Sequence, residues 1–147
     1  MGTHEDYGRN LMSEVLGDRW SSYDSRRSVD EAGVRADLDG VIVGPDGQSV
    51  ECAVEIEARV YKQIRGAIVD LALHPAPKKL LVVIKAQPQL GSSAKVVKHC
   101  GYIWQQIAGT THGLFAIAVL ERTGDKPLPE VDRQRLAAAL NALAILP

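Results

Sequence analysis

Cysteine is scarce: Cys52 and Cys100 are the only thiols among 147 residues. Neither has a Cys or His at C-x-x-C distance, and His99 beside Cys100 is too little for zinc, so both read as reduced, buried side chains. Long apolar runs are also missing. None approaches the ~20 residues a membrane helix needs, and MGTHEDYGRN lacks the basic and apolar regions of a signal peptide. The expectation is a cytoplasmic protein with no membrane partner. There is no internal repeat, no glycine-rich phosphate loop and no Ser, His and Asp order suited to a hydrolase triad. An excess of one charge is missing as well: the net charge of −1 argues against holding nucleic acid by bulk electrostatics.

What is present is ordinary in amount and uneven in arrangement. Hydrophobic residues make up 46% and charged residues 24%, as in a globular protein, and the length suits one compact domain over residues 1–147. Between Arg59 and Cys100 stand eight basic residues against Asp70 alone, an excess of seven, so the remainder carries −8 of the net −1. A basic segment suits a polyanionic substrate. The competing reading is that several of these lysines flank a buried strand as solubilising charges.

The stretch Val34 to Tyr61, VRADLDGVIVGPDGQSVECAVEIEARVY, reads as a β-hairpin leading into a helix, with Gly44, Pro45, Asp46 and Gly47 as its turn. Alternation along a strand puts Val34, Ala36, Leu38, Gly40 and Ile42 on one apolar face with Val50, Cys52, Val54 and Ile56. The other face carries Asp37 and Asp39 on the first strand and Glu51, Glu55 and Glu57 on the second. With Val43 near Ser49, Asp37 and Asp39 fall opposite or diagonal to Glu55 and Ala53, close enough to share a ligand. Such carboxylates are commonly the solvated face of an amphipathic sheet. Here Val41, Val43 and Ala53 lie among them, which points to a covered face where like charges need compensation, and a divalent cation with oxygen ligands would supply it.

An acidic residue on one hairpin strand, E-x-K or a variant on the next, then a helix opening with basic and amide residues, resembles the PD-(D/E)xK nuclease superfamily. The resemblance covers roughly residues 5 to 121, by order of elements more than by identity. It implies the restriction-endonuclease-like fold, an α/β mixed sheet flanked by helices. It implies Asp39 as the motif aspartate, with Asp37 its rival, and Glu55 as the second acidic residue, the three being candidate ligands for Mg2+ or Mn2+. Glu57 stands where lysine is commonest, so the motif is E-x-E, and Lys62 on the next helix is the candidate migrated lysine. Asp39, Glu55, Glu57 and Lys62 are thus the catalytic candidates. Arg59, Lys62, Gln63 and Arg65 are the nucleic-acid-binding candidates, and Glu14 is the candidate first-helix carboxylate.

Elsewhere, residues 5–20 read as a first helix with Leu11, Met12, Val15 and Leu16 inward, and 21–33 as a loop or edge strand whose Arg26 and Arg27 could touch phosphate. Arg59–Leu73 is a helix stopped by Pro75 and Pro77, with His74 favourable to its dipole. KLLVVIK, residues 79–85, is a strand buried on both faces that completes a right-handed crossover. Ser92 or Ser93 caps a helix whose Trp104 belongs to the core. GLFAIAVLE, residues 113–121, is a second buried strand, followed by a polar loop over 123–129. Glu130–Leu146 is a closing helix that either docks on the sheet or pairs with a second copy in a homodimer.

The function this implies is a metal-dependent nuclease hydrolysing DNA phosphodiesters, with Asp39 and Glu55 holding the metal, and Glu57 or Lys62 positioning or deprotonating water. The alternative is a catalytically inactive nuclease fold used for nucleic-acid binding or protein assembly, which the missing lysine favours. A third reading is a protein-interaction subunit. In so short a chain, target choice falls to substrate shape or to a partner protein.

Overall fold

The computed structural model describes residues 3–108, 113–121 and 128–146. In chain order the elements are α1 (Thr3–Leu16), β1 (Trp20–Ser21), β2 (Ser28–Glu31), β3 (Val34–Asp37), β4 (Gly40–Val43), β5 (Val50–Glu57), α2 (Tyr61–Leu73), β6 (Lys78–Ile84), α3 (Ser93–Ile107), β7 (Leu114–Leu120) and α4 (Pro129–Ala142). The main sheet has the order β1-β4-β5-β6-β7, and β2 with β3 forms a separate antiparallel ribbon. β1 and β5 both run antiparallel to β4, whereas β5, β6 and β7 run parallel. The chain is therefore α/β with a five-stranded mixed sheet flanked by helices. None of the described helices is long and apolar enough to cross a membrane.

Alternation along the parallel strands makes two cores. Cys52, Val54 and Ile56 of β5 join Leu80 and Val82 of β6 beneath Leu11 and Met12 of α1 and Leu136 and Leu140 of α4. Ala53 of β5 joins Leu81 and Val83 on the other face, under Ile64 and Ile68 of α2 and Val96 and Trp104 of α3. With apolar residues on both faces, β6 reads as a continuous apolar run, as expected of a covered parallel strand. Gly8 lets α1 lie close on β5, since a Cβ there would stand 2.8 Å from Ile56 Cγ2. Ser92 caps α3 by accepting from the Lys95 N–H, and Trp104 is buried, stacked on Phe115 at 4.7 Å between ring centroids.

Several expectations change. The first helix ends at Leu16, and Trp20–Ser21 is already the edge strand of the main sheet. The supposed single strand from Val34 to Val43 breaks at Leu38 and Asp39: β3 pairs with β2, and only β4 joins the main sheet. The break also turns the chain over. Ala36 and Leu38 pack with α2 and α3 while Ile42 packs with α1 and α4, so they do not share one face.

β7 is an edge strand, exposed at Leu114 and fully buried only over its last three residues. The polar loop expected at 123–129 lies almost wholly outside the described residues. α4 stops at Ala142 and docks on its own sheet through Leu136, Ala139 and Leu140.

The lysines of β6 are not solubilising charges. Lys79 is buried, and its Nζ donates to the carbonyls of Leu71, at 2.9 Å, and His74, closing the C-terminus of α2. Lys78 pairs with Glu51, and Lys85 with Glu121. His74 is buried rather than a cation at a helix end. Its Nδ1 accepts from the Ala76 N–H, which leaves Nε2–H to donate to the Arg26 carbonyl at 2.7 Å, and burial lowers its pKa.

Candidate functional site

The break at Asp39 creates the site. Pairing of β4 with β5 begins at Gly40 opposite Val54, so β5 runs on past the end of its antiparallel neighbour. Asp39 replaces the missing ladder with its own atoms: its N–H donates to Glu55 Oε1 at 2.9 Å, and its Oδ2 accepts from the Ile56 N–H at 2.7 Å. Its other oxygen, Oδ1, accepts from Arg9 Nη2 of α1 at 2.9 Å. Capping a strand end explains why an acceptor stands at position 39. It does not explain a second carboxylate beside it.

Glu55 is only 9% exposed. Burial, and then the negative charge of Asp39, push its pKa far above the usual carboxylate range, and Asp70 on α2 adds to the effect. Burial also raises the pKa of Asp70. These groups open into a hollow of about 440 Å³ whose walls include Asp39, Glu55, Asp70 and Arg59, with Glu5 and Arg9 from α1. A neighbouring hollow of about 500 Å³ shares Arg9, Asp37 and Asp39 and adds Tyr23 and Arg27. Another, of about 490 Å³ between α3, β7 and α4, is mostly apolar and lies away from the carboxylates.

The remaining candidates divide. Glu57 lines the hollow, but its Oε2 accepts from the N–H groups of Ala58 and Arg59 and from Arg59 Nε, each at 2.9 Å, and its Oε1 accepts from Arg59 Nη2 at 2.7 Å. Burial pulls its pKa up, and these donors outweigh it, so the carboxyl lies below its usual range. It holds Arg59 at the rim and has no free oxygen to act as a base. Asp37 lies at the mouth, exposed, bonded to Ser28 at 2.6 Å and Arg35 at 3.1 Å.

Lys62 and Arg65 are exposed on α2, and neither they nor Gln63 line either acidic hollow. Glu14 is exposed and paired with Arg133 of α4, so it is not the helix carboxylate of the site. Glu5, on the opposite side of α1 from Glu14, lines the hollow instead, and Arg9 and Asp70 join it. The signal in the sequence was Glu5, Gly8 and Arg9, whose spacing puts two charges on the face that a glycine brings against the sheet.

Oxygen ligands at this spot suit a hard divalent cation. Asp39 and Glu55 belong to one hydrogen-bonded unit, and the raised pKa of Glu55 reflects its burial first and then the negative charge of Asp39. Among the described residues no three His, Cys, Asp or Glu side chains form a cage. With both Asp39 oxygens and Glu55 Oε1 already hydrogen-bonded, a cation held here would keep most of its coordination sphere as water, which is the habit of magnesium rather than of a fully protein-ligated ion. No family model, curated protein or solved structure matches the chain.

Proposed function

We propose that the chain is a nuclease-like domain of the PD-(D/E)xK, restriction-endonuclease-like type, which hydrolyses DNA phosphodiesters with Mg2+ or Mn2+ held by Asp39 and Glu55. The observation that supports this most is the pair itself: a glutamate set against an aspartate and raised in pKa by burial and then by that neighbour, where an amide or hydroxyl would cap the strand at lower cost. The order of elements supports it too, with the pair on the antiparallel part of the sheet and the parallel strands and α2 following.

Bound there, a divalent cation would polarise the phosphate and lower the pKa of a coordinated water. Glu55 would have to give up its proton to hold the cation, so affinity should increase with pH. Arg59, fixed by Glu57, offers a guanidinium two residues beyond the position where the family most often has lysine, suited to a phosphate oxygen. Among the described residues no lysine lines the pocket, so this reading gives Lys62 no catalytic part, and substrate shape or a partner protein supplies specificity.

The test is cleavage of linear, supercoiled and branched DNA with Mg2+ or Mn2+, beside Glu55→Ala. Cleavage of at least one form, abolished in the variant, is the expected result. In parallel, Mn2+ should raise the melting temperature of the wild type by mass action and leave Glu55→Ala unmoved; unchanged melting at millimolar metal removes the cation site. The commitment of both Glu57 oxygens to Arg59 favours a second reading, an inactive nuclease fold that binds nucleic acid or assembles with protein. Under it, metal-dependent cleavage is absent and Glu57→Lys restores none.

A further inference from the structure

Most cations of this chain already have partners. Among the described residues every arginine except Arg65 donates to a carboxylate or a backbone carbonyl, and Lys78, Lys79 and Lys85 are held in the same way. Lys62, Arg65, Lys95 and Lys98 are exposed and lack such a partner. They are not scattered. Lys62 and Arg65 stand one turn apart on α2, Lys95 and Lys98 one turn apart on α3, and the two helices pack side by side.

Tyr61 links the pairs: its ring lies 4.1 Å from that of His99, and Lys95 Nζ stands 5.7 Å from the centre of the Tyr61 ring. Burial, and then the charges of Arg65 and Lys95, lower the pKa of His99, so cations from both helices converge on one point. At this seam His99 Nε2 and Gln63 Oε1 are buried without a hydrogen-bond partner. α3 contains no acidic residue, and the one acid of α2, Asp70, faces the carboxylate hollow.

An array of like charges without counter-charges, on two rigid elements, is complementary to a regular polyanion. We infer that the α2–α3 face docks the phosphate backbone of duplex DNA and carries it toward the Asp39–Glu55 hollow. Arg59 lines that hollow two residues before α2 begins, so basic face and hollow adjoin along the chain. The inference rests on the nuclease reading for what happens to the DNA and adds the surface that holds it. Lys95 and Lys98, more than thirty residues beyond the carboxylate motif, become phosphate-binding residues.

The experiment is fluorescence anisotropy of a labelled DNA duplex over a series of salt concentrations, in EDTA so that no cleavage intervenes. The double change Lys95→Glu and Lys98→Glu should weaken binding at least ~10-fold and flatten the dependence of log K on log salt by about 2, one for each phosphate no longer neutralised. Arg133→Glu on α4, across the sheet, should leave both unchanged. Lys95→Gln with Lys98→Gln repeats the test without charge reversal, and the melting temperature verifies that each variant is folded. Absence of wild-type binding at low salt, equal weakening in Arg133→Glu, or tighter binding to phosphatidylserine vesicles than to DNA would overturn the inference. Binding that depends on Lys95 and Lys98 without cleavage under any metal sinks the nuclease and keeps this surface. Cleavage with binding insensitive to both lysines does the reverse.

Discussion

Glu55 shows what one side chain can reveal when its surroundings oppose its charge. Its pKa is raised from an ordinary 4.5, so above pH 4.5 the folded state binds more protons than the unfolded chain. The linkage relation then makes stability fall as pH rises. The cost is absent well below pH 4.5 and grows through neutrality until the folded carboxyl itself ionises. Glu55→Gln should therefore match wild type in acid and exceed it near pH 7 by about 2 kcal/mol, several degrees in melting temperature, on a scale where one pKa unit is ~1.4 kcal/mol. Thermal melts of both proteins from pH 4 to 8 without divalent metal test this, and parallel curves would refute it. Metal should narrow the gap, because it stabilises only the chain that retains the carboxylate.

At the scale of elements, the site exists because one strand stops. Gly40, the first residue of β4, lies against β1 so closely that a Cβ would stand 2.6 Å from the Ser21 carbonyl oxygen and 2.7 Å from Trp20 Cζ3. Gly40→Ala should push β1 off the sheet edge, lower stability by about 1–3 kcal/mol as overpacking does, and weaken Mn2+ binding by moving Asp39 next door. Melting with and without Mn2+ reads both effects. Lys79 plays the corresponding part for α2. Its burial lowers its pKa to about 8 from 10.5, so the wild type gains stability as pH rises from 8 toward 10.5, while below 8 it bears the full cost of the buried charge. Lys79→Met should lose that pH dependence. It should also be less stable near neutrality by about 1–3 kcal/mol, because the Leu71 and His74 carbonyls lose their donor. Melts at pH 7 and pH 9.5 separate the two effects.

Over the whole molecule, a single sheet separates two cores and helps to separate two kinds of surface. α1 and α4 cover one face, and α2 and α3 cover the other. Asp132 ties α4 to its neighbours by accepting from the Tyr7 hydroxyl of α1 and the Glu121 N–H just beyond β7, each at 2.6 Å. Because both cores share β5 and β6, they should unfold together. Asp132→Ala removes the carboxylate that accepts from both the Glu121 N–H and the Tyr7 hydroxyl, so the whole protein should lose about 2 kcal/mol in one transition. Coincident near- and far-ultraviolet circular dichroism melts would bear this out, and a separate early transition from α4 would contradict it.

Local periodicity was enough to define the three covering helices after the hairpin, the apolar run of β6, a serine cap at residue 92 or 93 and the nearness of Asp39 to Glu55, because each depends on residues adjacent in sequence or joined by one tight turn. It could not show that the first hairpin strand breaks at Leu38, since alternation continues unchanged through a kink that sends its two halves to opposite cores. Nor could it show which charges are free. Lys79, Lys78 and Lys85 look like the lysines of α2 and α3 in sequence, yet only packing brings carbonyls and carboxylates to the first group and leaves the second without any. The residue types of the site were legible because buried carboxylates are rare on a covered face. Which partners neutralise them, Arg9 for Asp39 and Arg59 for Glu57, was decided by helix α1 crossing the sheet at Gly8 and by the chain turning back as it leaves β5.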